Sequence, residues 1–210
     1  MLFRSKQYGN LITWLLVLLM AAYAAWNGWG WYQRDRAEKA GAVFDALNEA
    51  VRAGDADKAG RIFGDLKNGY AGTTFAEQGA LLAAKVQYEK GQVDGAKASL
   101  GWAADNAVEE EYRTMARLRL AAVLAEAKQY DEALKQLDAA KAAGFEALVA
   151  DRRGDVLAAA GKKAEALAAY QAAWKTMDSK LEYRRLVEAK LTALGAAPEP
   201  VAAAASGAAR

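Results

Sequence analysis

Residues 118–137 read LRLAAVLAEAKQYDEALKQL and contain the pattern of two short helices joined by a tight turn. Ala, Leu, Glu and Lys make up most of this stretch, and all four residue types favour helix. Small side chains at Ala121 and Ala133 would allow the two helices to pack closely, and Leu137 would fill the space beside them. The stretch therefore predicts a compact unit of two paired helices.

The same pattern recurs at four places along the chain. Ala59, Ala96, Ala133 and Ala166 mark these places, at spacings of 37, 37 and 33 residues. A glycine lies five positions before three of them, and glycine suits a tight turn because it adopts left-handed backbone angles cheaply. A period near 34 is typical of tetratricopeptide repeats. We expect the repeats to pack through Ala59, Phe63, Ala84, Ala96, Leu100, Ala121, Ala133, Leu137, Gly154, Ala166 and Tyr170.

The four units follow this pattern unequally. Leu47 stands where the first unit would carry a small residue, and Lys128 stands at the turn position where the other units carry glycine. The two longer spacings predict extra loop residues between the early repeats, around Asn68 and Asp105. Unit three and unit four are therefore the clearest repeats, and unit one is the weakest.

The predicted fold is all-α. Paired helices that stack side by side share a core and curve into a solenoid. We predict a tetratricopeptide-repeat-like α-solenoid of about four helix pairs over residues 33–194, in which a helix from about Ser179 to Leu194 caps the open end. Residues 195–210 are predicted to form a disordered tail.

The amino-terminal segment has the properties of a membrane anchor. No residue from Gln7 to Gln33 is charged, and a helix needs about 20 apolar residues to cross a bilayer. We predict a single transmembrane helix over residues 11–32, which follows a short cytoplasmic tail at 1–10. Tryptophan concentrates at membrane interfaces, so the predicted interface residues are Trp14, Trp26, Trp29 and Trp31.

Two features of this segment leave alternatives. Ala22-Tyr23-Ala24 fits the cleavage site of a signal peptide, but the uncharged stretch continues past it, which favours the anchor. Two basic residues precede the span and three follow it closely, so charge alone does not fix the orientation.

Composition excludes several classes of function. The chain has no cysteine and no histidine, which removes the commonest nucleophilic thiol, general base and metal ligand. The 28 basic and 26 acidic residues are nearly balanced, unlike those of a nucleic-acid-binding domain. We expect neither catalysis, nor a cofactor, nor a bound metal, nor a small-molecule substrate.

The concave surface of the solenoid is the expected site for protein partners, since the first helix of each pair lines it. Tyr112, Arg113 and Arg117 on the first helix of unit three are the predicted groove contacts. Asp151, Arg152 and Asp155 form a second candidate. They fit either a charge cluster that docks a partner or a solvated helix start with local ion pairs, and the second interpretation is favoured because exposed pairs contribute little.

Several segments resemble the YfgM-like family, the ancillary subunit of the bacterial SecYEG translocon. They are Leu118–Ala121, Lys135–Asp138 and Ala147–Asp155, together with Tyr8–Leu11 before the tryptophan-rich anchor. The resemblance implies an inner-membrane protein with a cytoplasmic amino terminus and a periplasmic repeat domain. It also implies contacts with SecYEG and with the anchored chaperone PpiD, and a role in handing exported chains to periplasmic chaperones.

A different class of function fits the same residues. A membrane-anchored structural adaptor for envelope assembly or cell division would also need only an anchored repeat domain with a groove. The residues alone do not separate this alternative from a role in export.

Overall fold

The computed structural model describes residues 5–196, with side chains described from residue 12, and it confirms the predicted all-α class. Within that range the chain forms four helix pairs, and no strand occurs there. The predicted tail at 195–210 lies outside the described residues apart from Gly195 and Ala196. The helices are α1 (Ser5–Arg52), α2 (Ala56–Gly69), α3 (Thr74–Glu89), α4 (Val93–Asn106), α5 (Glu110–Glu126), α6 (Tyr130–Asp138), α7 (Glu146–Ala159), α8 (Lys163–Thr176) and α9 (Arg184–Ala193).

Helix α1 has two parts with opposite surroundings. From Ile12 onward it is long and apolar enough to cross a membrane by length and composition, and the side chains of that part are exposed. Further along, Ala40, Leu47 and Ala50 are buried against the repeats. The helix continues without a break between these parts, so the first helix of unit one is a direct extension of the apolar segment.

The small residues at the repeat positions are all buried. Ala59, Ala96, Ala133 and Ala166 have no exposed surface, and the bulky residues four positions later are at most 4% exposed. All eleven residues expected to pack the repeats are buried in the structure. The recurring alanines therefore mark the places where the helices of each pair lie closest.

The bulky Leu47 of unit one fits into the structure because unit two carries a glycine, Gly79, beside it. A Cβ atom added at Gly79 of α3 would lie 2.7 Å from the Leu66 side chain and 3.1 Å from that of Leu47. The missing side chain at Gly79 thus leaves the space that Leu47 fills. Aromatic contacts join the same two units, with Phe63 packed edge-on against Trp102 at 5.4 Å between ring centroids.

The turn inside each pair has the same backbone geometry. Gly54, Gly91, Lys128 and Gly161 all have positive φ, between 60° and 79°. The following residue in each case donates a backbone hydrogen bond to the carbonyl five residues earlier, at 2.8–3.0 Å. This pattern closes the end of a helix with a left-handed residue, and Lys128 is the one described residue other than glycine that adopts a positive φ.

The predicted placement of the extra residues of the early repeats was wrong. The connections at 70–73 and 107–109 are shorter than the connection at 139–145, which belongs to the short repeat. The extra length lies in helices instead. The first helices α3 and α5 have 16 and 17 residues against 14 in α7, and the second helices α2 and α4 have 14 against 9 in α6. The capping helix also begins later than predicted, at Arg184.

The core divides within α7, where Val156 belongs to one buried apolar cluster and Leu157 to another. The first cluster runs through units one to three as far as Val156, and the second joins the rest of unit four to the capping helix. Leu134 packs against both clusters.

Between units two and three, the buried Glu77 carboxylate accepts a hydrogen bond from the Val108 backbone N–H at 2.5 Å, and burial raises the pKa of Glu77.

The substitution Gly154→Ala tests the close packing of a helix pair. A Cβ atom at Gly154 would lie 2.4 Å from the Tyr170 ring, and the Tyr170 hydroxyl is held by Asp155 at 2.9 Å. We expect unfolding free energy to fall by about 1–3 kcal/mol, the usual cost of overpacking, measured by urea titration followed by circular dichroism. Gly64→Ala is the control because a Cβ there meets nothing within 4 Å, and it should stabilise the helix slightly. Equal effects of the two substitutions would contradict the described packing.

Candidate partner-binding groove

A concave pocket of about 450 Å³ lies on the first helices of units two, three and four. Its floor is apolar, and charged and polar side chains surround that floor. We call it the inner groove and define it by the residues Leu81, Ala84, Lys85, Tyr88, Leu100, Arg119, Ala122, Val123, Glu126 and Arg152.

Helical spacing brings these side chains to one surface. Leu81, Lys85 and Tyr88 stand four and three residues apart on α3, so they share one helix face. On α5, Arg119 and Glu126 are two turns apart and likewise share a face. Stacking of the repeats places these faces beside Arg152 of α7, so that the groove crosses three successive units.

The charges of the inner groove are unequal in sign. Lys85, Arg119 and Arg152 are cations, and Glu126 is the one carboxylate among its ten residues. The Tyr88 hydroxyl donates a hydrogen bond to Glu126 across the groove, and this bond raises the pKa of Tyr88. Glu126 is therefore already engaged by a neutral donor.

Among the three cations of the inner groove, Arg119 is the one without a neighbouring carboxylate in the described residues. Lys85 lies 3.8 Å from Glu89, and Arg152 lies 3.4 Å from Asp155. The Arg119 guanidinium contacts the Met115 sulfur at 3.7 Å, and within residues 12–196 no carboxylate lies within ion-pair distance of it. Arg119 is exposed to solvent, although the protein atoms around it lower its pKa by desolvation. The groove thus presents an exposed arginine that has no carboxylate partner among residues 12–196.

The three residues of α5 that were predicted to contact a partner do not line the inner groove. Tyr112 lies two turns before Arg119, and its hydroxyl accepts a hydrogen bond from Gln78 at 2.8 Å. Arg113 pairs with Glu110 at 2.6 Å. Arg117 donates to the backbone carbonyl of Ala104 at 2.9 Å and to that of Ala139. Arg113 and Arg117 therefore serve contacts within the fold and do not line the inner groove.

Of the three cations that line the groove, sequence reasoning named Arg152 but missed Arg119 and Lys85. Arg119 and Arg152 stand at the same repeat position, fourteen residues before Ala133 and Ala166. Lys85 stands eleven residues before Ala96. Comparison of charged residues at equal offsets would have indicated Arg119 from Arg152.

The predicted charge cluster on α7 contains one local ion pair, between Arg152 and Asp155 at 3.4 Å, but Asp151 is not solvated as the favoured interpretation expected. Asp151 is 1% exposed, and its carboxylate accepts hydrogen bonds from Tyr183 at 2.7 Å and from Lys190 at 2.8 Å. Lys190 also lies 2.7 Å from Asp155. Burial raises the pKa of Tyr183, as it does for Tyr170. The two aspartates therefore hold the capping helix α9 to unit four, while Arg152 faces the groove.

The four tryptophans expected at membrane interfaces lie on the exposed part of α1. Trp14, Trp26, Trp29 and Trp31 are 65–82% exposed. Trp29 also contacts Tyr32, with 6.0 Å between the ring centroids. Surfaces of this kind are typical of segments that meet lipid or another protein.

Comparisons with known proteins agree with this architecture. A family model described as a tetratricopeptide repeat-like domain matches residues 5–196. A protein of Neisseria gonorrhoeae named ancillary SecYEG translocon subunit is 30% identical over 185 residues, which cover 86% of this chain and 88% of the relative. Proteins with the same name from Escherichia coli K12 and Haemophilus influenzae are 31% and 28% identical, over 77% and 90% of this chain and 77% and 91% of their own lengths.

Replacement of Lys190 tests the network that holds the capping helix. Lys190→Met would leave the Asp151 carboxylate buried without its cation, and loss of one partner of a buried pair costs about 3–5 kcal/mol. We expect faster hydrogen exchange throughout α9 and a lower urea midpoint. Asp151→Asn added to Lys190→Met should restore part of the stability, because it removes the buried charge.

Lys175→Met on α8 provides the matched control, since Lys175 is exposed. We expect its unfolding free energy to stay within about 0.5 kcal/mol of the original chain. Unchanged exchange in α9 after loss of Lys190 would contradict the role assigned to the network.

Proposed function

This chain belongs to the YfgM-like family of tetratricopeptide repeat-like proteins, and from that membership we propose that it acts as an ancillary subunit of a SecYEG translocon. The family model covers α1 as well as the repeats, so the similarity extends to the membrane-spanning candidate. The three relatives named for that role match 77% or more of this chain. These matches support the same role for this protein.

The continuity of α1 is the structural observation that supports this proposal most directly. Between the exposed Trp31 and the buried Ala40 the helix rises by roughly 14 Å, and no loop separates the two residues. We propose an anchor over residues 11–32 in the bacterial inner membrane, a short cytoplasmic tail at 1–10 and a periplasmic repeat domain at 33–194. The repeat domain would then stand beside the membrane exit of the channel.

The inner groove would supply the binding surface of this scaffold. Its apolar floor and polar margin suit a segment of another protein, such as SecYEG, the chaperone PpiD or an exported chain. Attachment to the same membrane raises the effective concentration of such partners, so weak affinity in the groove suffices. In this proposal the protein passes exported chains to periplasmic chaperones and performs no catalysis.

The absence of cysteine from the sequence makes the orientation directly measurable. A single cysteine introduced by Lys175→Cys lies on the exposed surface of α8 and can be labelled by a maleimide that does not cross the inner membrane. We expect labelling in cells with a permeable outer membrane and an intact inner membrane. A control cysteine at Leu2 should be labelled only after the inner membrane is opened. The reverse pattern would contradict a periplasmic repeat domain.

Crosslinking from the inner groove tests the proposed partners. A photoreactive residue in place of Arg119 should capture a translocon subunit, PpiD or an exported chain in intact cells, and mild solubilisation should recover the translocon with the chain. A photoreactive residue at Arg61, exposed on α2 and outside the groove, serves as the matched control. Recovery of envelope-assembly or division proteins, with neither translocon nor chaperone, would favour a structural adaptor and contradict the proposal.

A further inference from the structure

We propose that the inner groove recognises an extended protein segment in which an apolar side chain lies next to carboxylates. The inference rests on the proposed function, since it names the chemistry of the segment that the groove would bind. It is drawn from the charges of the groove, from the lack of a carboxylate partner for Arg119 among residues 12–196, and from the apolar floor.

The charge argument begins with the excess of cations. Three cations and one carboxylate line the groove. Lys85 and Arg152 have the carboxylates of Glu89 and Asp155 beside them, at 3.8 and 3.4 Å, so Arg119 is the cation of the groove that is left unpaired among residues 12–196. A segment with carboxylates would neutralise the excess, whereas a basic segment would meet like charge. The groove therefore complements an acidic partner.

Arg119 makes this complementarity specific. Among residues 12–196 no carboxylate pairs with Arg119, whereas Lys85 lies 3.8 Å from Glu89. A guanidinium without a counter-ion can donate to an ionised acceptor, and such hydrogen bonds are stronger than neutral ones. A carboxylate beside Arg119 would thus contribute more than one beside Lys85, which already has Glu89 nearby.

The apolar floor accounts for the second part of the recognition. Leu81, Ala84, Leu100, Ala122 and Val123 leave a cavity of about 450 Å³ between the cations. Such a space suits an aliphatic side chain, whose transfer from water to an apolar surface is favourable. Charge alone would attract any polyanion, and the floor adds a preference for a protein segment.

The spacing of the cations favours an extended segment. Lys85, Arg119 and Arg152 belong to successive first helices, and packed helices lie about 8–10 Å apart. A chain in the extended polyproline II conformation covers this distance in about three residues, and it completes one turn in the same three residues. Carboxylates at every third position would therefore share one face of the segment and follow the three cations.

Peptide binding to the full chain in lipid nanodiscs tests the inference. The probe is a fluorescein-labelled peptide of leucine, threonine and glutamate with glutamate at every third position, and its twin carries glutamine instead. We expect fluorescence anisotropy to show clearly tighter binding of the glutamate peptide, and Arg119→Gln to weaken that binding about tenfold, as expected for loss of a charged hydrogen bond. Binding of the glutamine peptide should not change.

Two further variants check that the effect belongs to the groove. Glu126→Gln removes the one groove carboxylate and should tighten binding of the glutamate peptide by about threefold, a typical effect of an exposed charge. Arg61→Gln removes an exposed arginine outside the groove and should leave binding unchanged. Circular dichroism on each variant verifies that its helices remain folded.

The inference is overturned if the two peptides bind equally, or if Arg119→Gln and Arg61→Gln act alike. Equal binding of the peptides, with continued recovery of the translocon by the same chain, would remove the acidic specificity and leave the proposed function standing. Loss of translocon recovery with retained preference for the glutamate peptide would support the groove chemistry and remove the translocon role.

Discussion

The close approach of paired helices at residues without side-chain bulk is the constraint on which the rest of the structure depends. At Ala59, Ala96, Ala133 and Ala166 no surface remains exposed, and at Gly154 even a methyl group would collide with Tyr170. This contact fixes the rotation of each helix about its own axis. Once that rotation is fixed, the neighbouring face of each first helix points to the concave side, and the packing residues Ala84 and Leu100 form part of the groove floor. The inner groove is therefore a geometric consequence of how the pairs pack.

Helix α1 connects this packing to the membrane. Its apolar part needs no partner within the protein, whereas its later part supplies Leu47 and Ala50 to the core. A continuous helix transmits orientation, because bending it would break backbone hydrogen bonds. The position of the repeats relative to the membrane-spanning candidate is consequently set by the helix itself. With a flexible linker in place of this helix, the groove would adopt many orientations relative to the membrane. Anchoring would then raise the effective concentration of membrane partners at the groove by less.

The repeat architecture was predictable because its signals are local. Small residues, bulky residues and turn glycines recur at fixed offsets, and each reports on a contact within one helix pair. The surroundings of Asp151 were not predictable in this way, since Lys190 lies 39 residues later on an element outside the repeat. The extra length of the early repeats was assigned to loops because spacing does not tell where added residues lie. Arg117 was assigned to the groove because sequence does not show which carbonyl groups at helix ends need a donor.

Freedom from packing explains why the groove can carry specificity. At the offset of Arg119 and Arg152, the first two units carry Asp45 and Leu82, so the residue type changes from unit to unit. The offset of Ala59, Ala96, Ala133 and Ala166 does not vary in this way, because a larger side chain there would separate the helices. A repeat domain thus combines positions that hold the shape constant with positions that are free to change. The cations of the inner groove belong to the second kind, so the fold does not require them, and the proposed preference for carboxylates rests on this freedom.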